Sequence, residues 1–300
     1  MIYTVTFNPA IDYVLSVPKF KKGEINRSTE EIFYVGGKGI NVSVVLKELG
    51  CTSVAFGFVA GFTGEKIEQE LKLQGITTDF VHLKDGTSRI NVKIRSDEET
   101  DVNAAGPEID VQSVEEFYKK IESLNDGDVL ILAGSIPKQM SDDTYCKVLR
   151  ILENKSVNVV VDAEGDLLVK TLKYRPFLIK PNHIELSQML GECFDTEEDI
   201  IDGAKRLQKA GAKNVLVSMA EKGAIFIDET GKSHRVLAPK GKLINSVGAG
   251  DSMVAGFIAG YMETKDYGYA LKLGVAAGSA TAFSVGLATA EEIEKILGCL

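Results

Sequence analysis

An α/β architecture, with a doubly wound and mostly parallel central sheet flanked by helices, follows from two features of the sequence. Short apolar strand-like runs alternate with helix-like runs along most of the chain, and those strands are apolar throughout, as strands covered on both faces must be. A third feature adds a small β lid: two mostly polar strand-like segments, 12–35 and 88–105, interrupt the alternation without a helix of useful length between strands. With 300 residues, 44% of them hydrophobic and 26% charged, the chain can bury one large core, so a single domain over 1–300 is expected.

The strands come in order. Residues 2–7 form a β-branched and aromatic run, and 53–58 a second; 128–133, 157–162, 177–179 and 213–219 follow as short apolar strands. Helical spacing marks 39–49, where Ile40, Val44 and Val45 share a side, then 63–74, 111–124, 142–153 and 197–209. Helices at 252–263, 267–285 and 290–297 close the chain. Parallel strands joined by helices require right-handed crossovers. In the polar segment, Arg89 to Arg95 alternates strictly, giving one apolar and one polar face. That pattern fits an antiparallel extension of the main sheet or a lid that folds over a site and excludes water.

Charge and cysteine content exclude several classes. A net charge of −9 argues against nucleic acid or an anionic membrane as partner, and an anionic substrate would need a local basic site. The four cysteines, Cys51, Cys146, Cys193 and Cys299, form no CxxC pair, so neither a zinc site nor a disulfide framework is indicated. Neither a basic leader with an apolar core nor a run of about 18 apolar residues is present, which points to a cytoplasmic protein. No GxxxxGK[ST], GxGxxG, GxSxG or HExxH occurs; Gly231-Lys232-Ser233 lacks the leading glycine of a P-loop. Phosphate chemistry would therefore use another glycine-rich device.

Two such devices exist. Gly248-Ala249-Gly250-Asp251 precedes an apolar helix, where glycines let backbone N–H groups approach an anion and the helix N-terminus adds unpaired donors. Asp251 is either a helix cap or a general base beside a bound phosphate. Gly36-Gly37-Lys38-Gly39-Ile40-Asn41 also lies between a strand and a helix, with a mobile cation at Lys38 and an amide at Asn41. Either cluster alone is compatible with a plain structural turn.

Together these clusters resemble the two signatures of the ribokinase-like (PfkB) carbohydrate kinase family. The opening Thr6-Phe7-Asn8-Pro9-Ala10-Ile11-Asp12 and Lys180-Pro181-Asn182-x-x-Glu185 match it in order and spacing, and the resemblance covers essentially the whole chain. It implies a doubly wound core with a small β lid, and transfer of the γ-phosphoryl group of ATP, with Mg²⁺, to a sugar hydroxyl. Segments 8–13, 87–94 and 246–256 are most similar to members that act on fructose 1-phosphate. Tagatose 6-phosphate is the alternative acceptor, and a non-catalytic sugar-phosphate sensor is the alternative outside enzymes.

The resemblance also assigns residues. Asp251 would be the catalytic base, with the N–H groups of Gly248, Ala249 and Gly250 as anion hole. Asp12, Gly36, Gly37 and Asn41 would hold the sugar; Lys38 and Arg89 would bind its existing phosphate, with Asn91 two residues along the same face as Arg89. Arg27 and Asn103 are further candidates. Asn182 and Glu185 would order Mg²⁺ through water, although the same pair reads as a helix capping box. Lys180 and the loop Ser218, Ala220, Glu221, Lys222 and Gly223 would bind ATP. The small residues Ala276-Ala277-Gly278-Ser279 would lie along the adenine, or else serve helix packing. Ser88, just before Arg89, leaves the lid register open. The alternating lid strands leave edges on which a homodimer would pair.

Overall fold

In a computed structural model, which describes residues 1–300 apart from Gln139 and Asp195, the chain begins with β1 (Ile2–Thr6), β2 (Ala10–Ser16) and β3 (Glu30–Gly36). Helix α1 (Lys38–Glu48), β4 (Ser53–Ala60) and α2 (Gly61–Leu73) follow, then β5 (Thr77–Thr78), β6 (Val81–Leu83), β7 (Arg89–Arg95) and β8 (Thr100–Val102). The middle alternates α3 (Val111–Glu122), β9 (Val129–Ala133), α4 (Thr144–Ile151), β10 (Asn158–Asp162), α5 (Gly165–Val169) and β11 (Leu178–Ile179). Helices α6 (His183–Leu190) and α7 (Glu197–Lys209) lead to β12 (Asn214–Ser218), β13 (Ala224–Ile227) and β14 (Ser233–Val236); α8 (Ala249–Thr264), α9 (Tyr267–Ala282) and α10 (Ala290–Leu297) end the chain.

The large sheet has the order β14-β13-β12-β11-β10-β9-β1-β4-β5, with β6 also on β4. Its pairs are parallel from β5 to β12, while β13 and β14 add an antiparallel edge. The apolar strands have the predicted cause. In β9, Leu130 and Leu132 enter one core cluster while Val129, Ile131 and Ala133 enter the other, and β10 and β12 divide the same way. One cluster is closed by α3, α4, α6 and α7, through Phe117, Tyr145, Leu186 and Leu207; the other by α1, α8, α9 and α10, through Val45, Phe257, Leu271 and Ile293. Each such side chain, fully buried, contributes about 1.5–3 kcal/mol.

The two polar segments do not extend this sheet. They make a separate four-stranded sheet, β3-β2-β7-β8, in which β2 pairs antiparallel with β3 and parallel with β7. It rests on α2 through a third cluster that includes Ile11, Ile40, Ile67 and Leu71. Ser88 fastens it: Ser88 exchanges bonds with Ala60 and accepts from Thr63 Oγ1 at 2.7 Å, which places Arg89 opposite Ala10. The apolar face expected for α1 is split, since Ile40 and Val44 meet the third cluster and Val45 the second.

Helix α8 starts at Ala249, three residues before the predicted 252, because Gly248 turns the chain with φ of 81°. It packs on α9 through small residues. A methyl at Gly256 would lie 2.5 Å from the Leu273 carbonyl, and one at Gly278 3.0 Å from the Ala249 carbonyl. Ala276 and Ala277 are buried in this seam, as the packing reading of the 276–279 segment expects. Gly256→Ala must push the two helices apart; a loss of about 1–3 kcal/mol is expected in chemical denaturation, with no such loss for the same change at open Gly50 beyond its positive-φ strain.

Candidate active site

The carboxyl ends of β1, β10, β11 and β12 gather side chains from motifs distant in sequence. Thr6, at the end of β1, accepts from the Ile40 N–H at 3.0 Å and fixes the start of α1. Glycine is required there: at Gly37, with φ of 136°, a Cβ would lie 2.4 Å from Thr6 Cγ2, and at Gly39 2.4 Å from the Val5 carbonyl. Seated this way, α1 carries Asn41 to α8, where its Nδ2 donates to Asp251 Oδ2 at 2.8 Å. The two glycine motifs therefore form one site.

Asp251 is not a cap. The N-cap of α8 is Gly248, with no side-chain cap bond, and Asp251, 5% exposed, points its carboxylate into the cluster. Burial raises its pKa to about 6, helped by the charge of Asp162 and opposed by the Asn41 bond, Lys38 and Lys180. Of the three expected anion-hole donors, Ala249 N–H closes a turn on the Ser246 carbonyl at 3.3 Å. Among the described residues, the Gly248 and Gly250 N–H groups make no such bond. They are the freer donors at the N-terminus of a 16-residue helix.

Two lysines face these carboxylates. Lys180 Nζ lies 3.1 Å from Asp162 Oδ1, with both residues buried. Lys38 is 3.7 Å from Glu164. Burial disfavours its charge, but Asp162, Asp251, Glu164 and Glu185 together outweigh that and raise its pKa. Lys38 thus belongs to the carboxylate cluster. Asp162 and Glu164 were missed by the sequence reading; an aspartate ending an apolar strand, as Asp162 does, is the signal that was available.

The small sheet supplies a second group. Its register sets Asp12 opposite Asn91, and Asn91 Nδ2 donates to Asp12 Oδ1 at 2.8 Å. Asn91 is 7% exposed, and its Oδ1 is buried without a partner among the described residues. Gly36 lets Asp12 close in, since a Cβ there would be 2.9 Å from Asp12 Oδ2. Arg89 donates from Nε to the Asn8 carbonyl at 3.1 Å, leaving its two terminal amino groups for an anion; burial lowers its pKa against the pull of Asp12. Arg27 and Asn103 are exposed and make no hydrogen bond or ion pair to either group among the described residues.

Asn182 and Glu185 form a complete capping box on α6: Asn182 Oδ1 accepts from the Ile184 and Glu185 N–H groups, and Glu185 Oε2 accepts from the Asn182 N–H. Ser218 sits beside them, donating its N–H to the Pro181 carbonyl at 3.1 Å. Beyond it, Ala220, Glu221 and Lys222 form an exposed turn that Gly223 closes with φ of 87°, where a Cβ would strike the Val236 carbonyl.

A model of the pfkB family of carbohydrate kinases matches residues 3–294. The chain belongs to that family. A 1-phosphofructokinase of Bacillus subtilis (strain 168) is 45% identical over 298 residues, covering 99% of this chain and 97% of the relative. A D-tagatose-1-phosphate kinase of Bacillus licheniformis is 36% identical over 296 residues, covering 98% and 97%. The crystal structure of Escherichia coli phosphofructokinase-2 in complex with fructose-6-phosphate superposes with a TM-score of 0.92 at 27% identity, covering 100% of this chain and 98% of that one. The protein is thus a sugar kinase, a phosphotransferase with an alcohol acceptor, and the family implies ATP as donor.

The raised pKa of Asp251 has a stability consequence. Its carboxyl takes up protons more readily folded than unfolded, so folding loses stability as pH rises from about 4 to about 6, and the full loss persists above. Asp251→Asn removes it. The variant is expected to be more stable than the parent at pH 7–8, by on the order of 3 kcal/mol at most, with the gain vanishing near pH 4; urea denaturation at several pH values reads this directly.

Proposed function

We propose that this kinase is a cytoplasmic enzyme that phosphorylates fructose 1-phosphate with ATP and Mg²⁺, giving fructose 1,6-bisphosphate and ADP. The observation that carries the mechanism is the Asn41–Asp251 hydrogen bond, which sets a buried carboxylate of raised pKa between the sugar-side motif and the α8 N-terminus. The choice of acceptor is supported by the full-length similarity to the Bacillus subtilis relative. Asp12, Gly36, Gly37, Asn41 and Asn91 hold the sugar, and Arg89 takes the phosphate it already carries. Asp251 accepts the proton of the free hydroxyl as its oxygen forms a bond to the γ-phosphorus of ATP. The bond to the ADP oxygen breaks in line, and the proton later leaves to solvent.

Gly248 and Gly250 N–H groups, with Ala249 once its turn bond yields, offset the charge on the transferring phosphoryl. Lys38, beside Glu164 and near Asp162 and Asp251, faces that group. Lys180 and the 218–223 turn face the nucleotide, and exposed apolar Ile244, Val247 and Val285 beside α8 offer a surface for the adenine face. Among the described residues, no three His, Cys, Asp or Glu side chains are grouped to hold a metal alone. Asn182 and Glu185 would hold Mg²⁺ through water, and the ion would supply charge neutralisation at the phosphates.

The Bacillus licheniformis relative favours a second acceptor, tagatose 1-phosphate, the C4 epimer of fructose 1-phosphate. Assay of fructose 1-phosphate, tagatose 1-phosphate, tagatose 6-phosphate and fructose 6-phosphate decides: the highest kcat/KM is expected for fructose 1-phosphate, and a higher value for another acceptor replaces it. In the same assay Asp251→Asn should lower kcat by roughly 10²–10⁴-fold with ATP binding retained; near-normal turnover would remove Asp251 from the role of base. We also propose that the small sheet is a lid that pairs two copies through the exposed part of the face that carries Asp12. Tyr34 and Ile32 lie on the Asp12 side of β3 and are exposed. Light scattering should give a dimer mass for the parent and a monomer mass for Ile32→Glu; a monomeric parent ends this part of the proposal.

A further inference from the structure

Asp162 ends β10 and takes no part in the reaction written above. It is 3% exposed, and its Oδ1 lies 3.1 Å from the Nζ of Lys180, which is 6% exposed. A buried ion pair is a poor stabilising device, because desolvation of both charges offsets most of their attraction and apolar side chains fill such space at least as well. Its position is more informative. β11 pairs with β10, so Lys180 emerges beside Asp162, and the long side chain reaches α8. There a methyl on Gly250 would lie 3.2 Å from Nζ and 3.7 Å from Cε. The missing side chain at Gly250 lets the ammonium rest on the backbone that forms the anion hole. Lysine carries its charge on a flexible four-carbon stem, so it holds one place only if something anchors it.

We propose that Asp162 is a positioning residue for phosphoryl transfer, clamping the Lys180 ammonium over Gly250 where the transferred group passes. The inference rests on Asp251 as base. It acts through Lys180 by fixing a positive charge near the developing negative charge. It also acts on Asp251 by repulsion. The groups facing Asp251 are Lys38 and Asn41 from α1, Asp162 from β10 and Lys180 from β11; of these Asp162 alone favours the protonated carboxyl.

The test compares Asp162→Asn, Lys180→Met and the double variant with the parent, using ATP-Mg and fructose 1-phosphate across pH. Asp162→Asn is expected to lower kcat by roughly 10–100-fold, to change KM for the sugar phosphate little, and to move the acid limb of the kcat profile to lower pH. Asp162→Asn in the Lys180→Met background should cost little further kcat, because the clamp has nothing left to hold. The double variant carries no unpaired buried charge from this pair, so it remains informative if Asp162→Asn alone fails to fold. Parent-like kcat and acid limb in Asp162→Asn, or a double variant far slower than Lys180→Met, overturns the inference. Normal turnover by Asp251→Asn would instead sink the underlying mechanism, so the two failures are distinct.

Discussion

Three charged side chains, Asp162, Lys180 and Asp251, each less than a tenth exposed, meet where the parallel strands end. Removing charge from water is costly unless each group finds a partner. Asp162 and Lys180 answer one another, and Asp251 is answered by Asn41 from a helix 210 residues away in sequence. That requirement ties together the C-terminal edge of β10 and β11, the start of α8 and the start of α1. The cost left over appears as the pKa of Asp251, raised to about 6.

The glycines follow from the same requirement. Gly37 and Gly39 let α1 touch the end of β1, so that Asn41 reaches Asp251. Gly250 admits the Lys180 ammonium, and Gly248 turns the chain into α8 while leaving N–H groups for an anion. At Gly37 and Gly39 a methyl would collide with the end of β1, and at Gly250 it would crowd the Lys180 ammonium. The α8–α9 seam of glycine and alanine packs the helix closely behind the site.

On the sugar side, polarity is inverted relative to an ordinary exposed sheet. Asn91 is buried beside Asp12, while Ile90 on the opposite face of β7 is partly exposed. An amide that gives its N–H to Asp12 and, among the described residues, keeps a buried oxygen without a donor can accept one, as the proposed sugar hydroxyl would supply. In the proposed reaction the anionic acceptor meets Arg89, whose Nε is held by the Asn8 carbonyl in a protein whose overall charge is −9.

Local pattern in the chain determined the alternation of strands and helices, the apolar runs from β1 to β12, the two glycine motifs and the odd polar segments, because these depend on neighbouring residues and on burial of both sheet faces. The antiparallel β13–β14 edge was not legible, since a short buried strand looks the same whichever way its neighbour runs. Nor was the choice at the capping motifs: Asn182–Glu185 and Asp251 both fit a helix start, and only the fold shows the first pair bonded as a box while Asp251 turns to Asn41. The packing of Ala276–Gly278 on α8 likewise shows only in the fold. Asp162 carried almost no local signal, because its meaning depends on Lys180, which arrives from the next strand, and on a missing side chain at Gly250. Proximity across the sheet is set by strand order and tertiary packing, which is why the charges at the centre of the site became readable only in three dimensions.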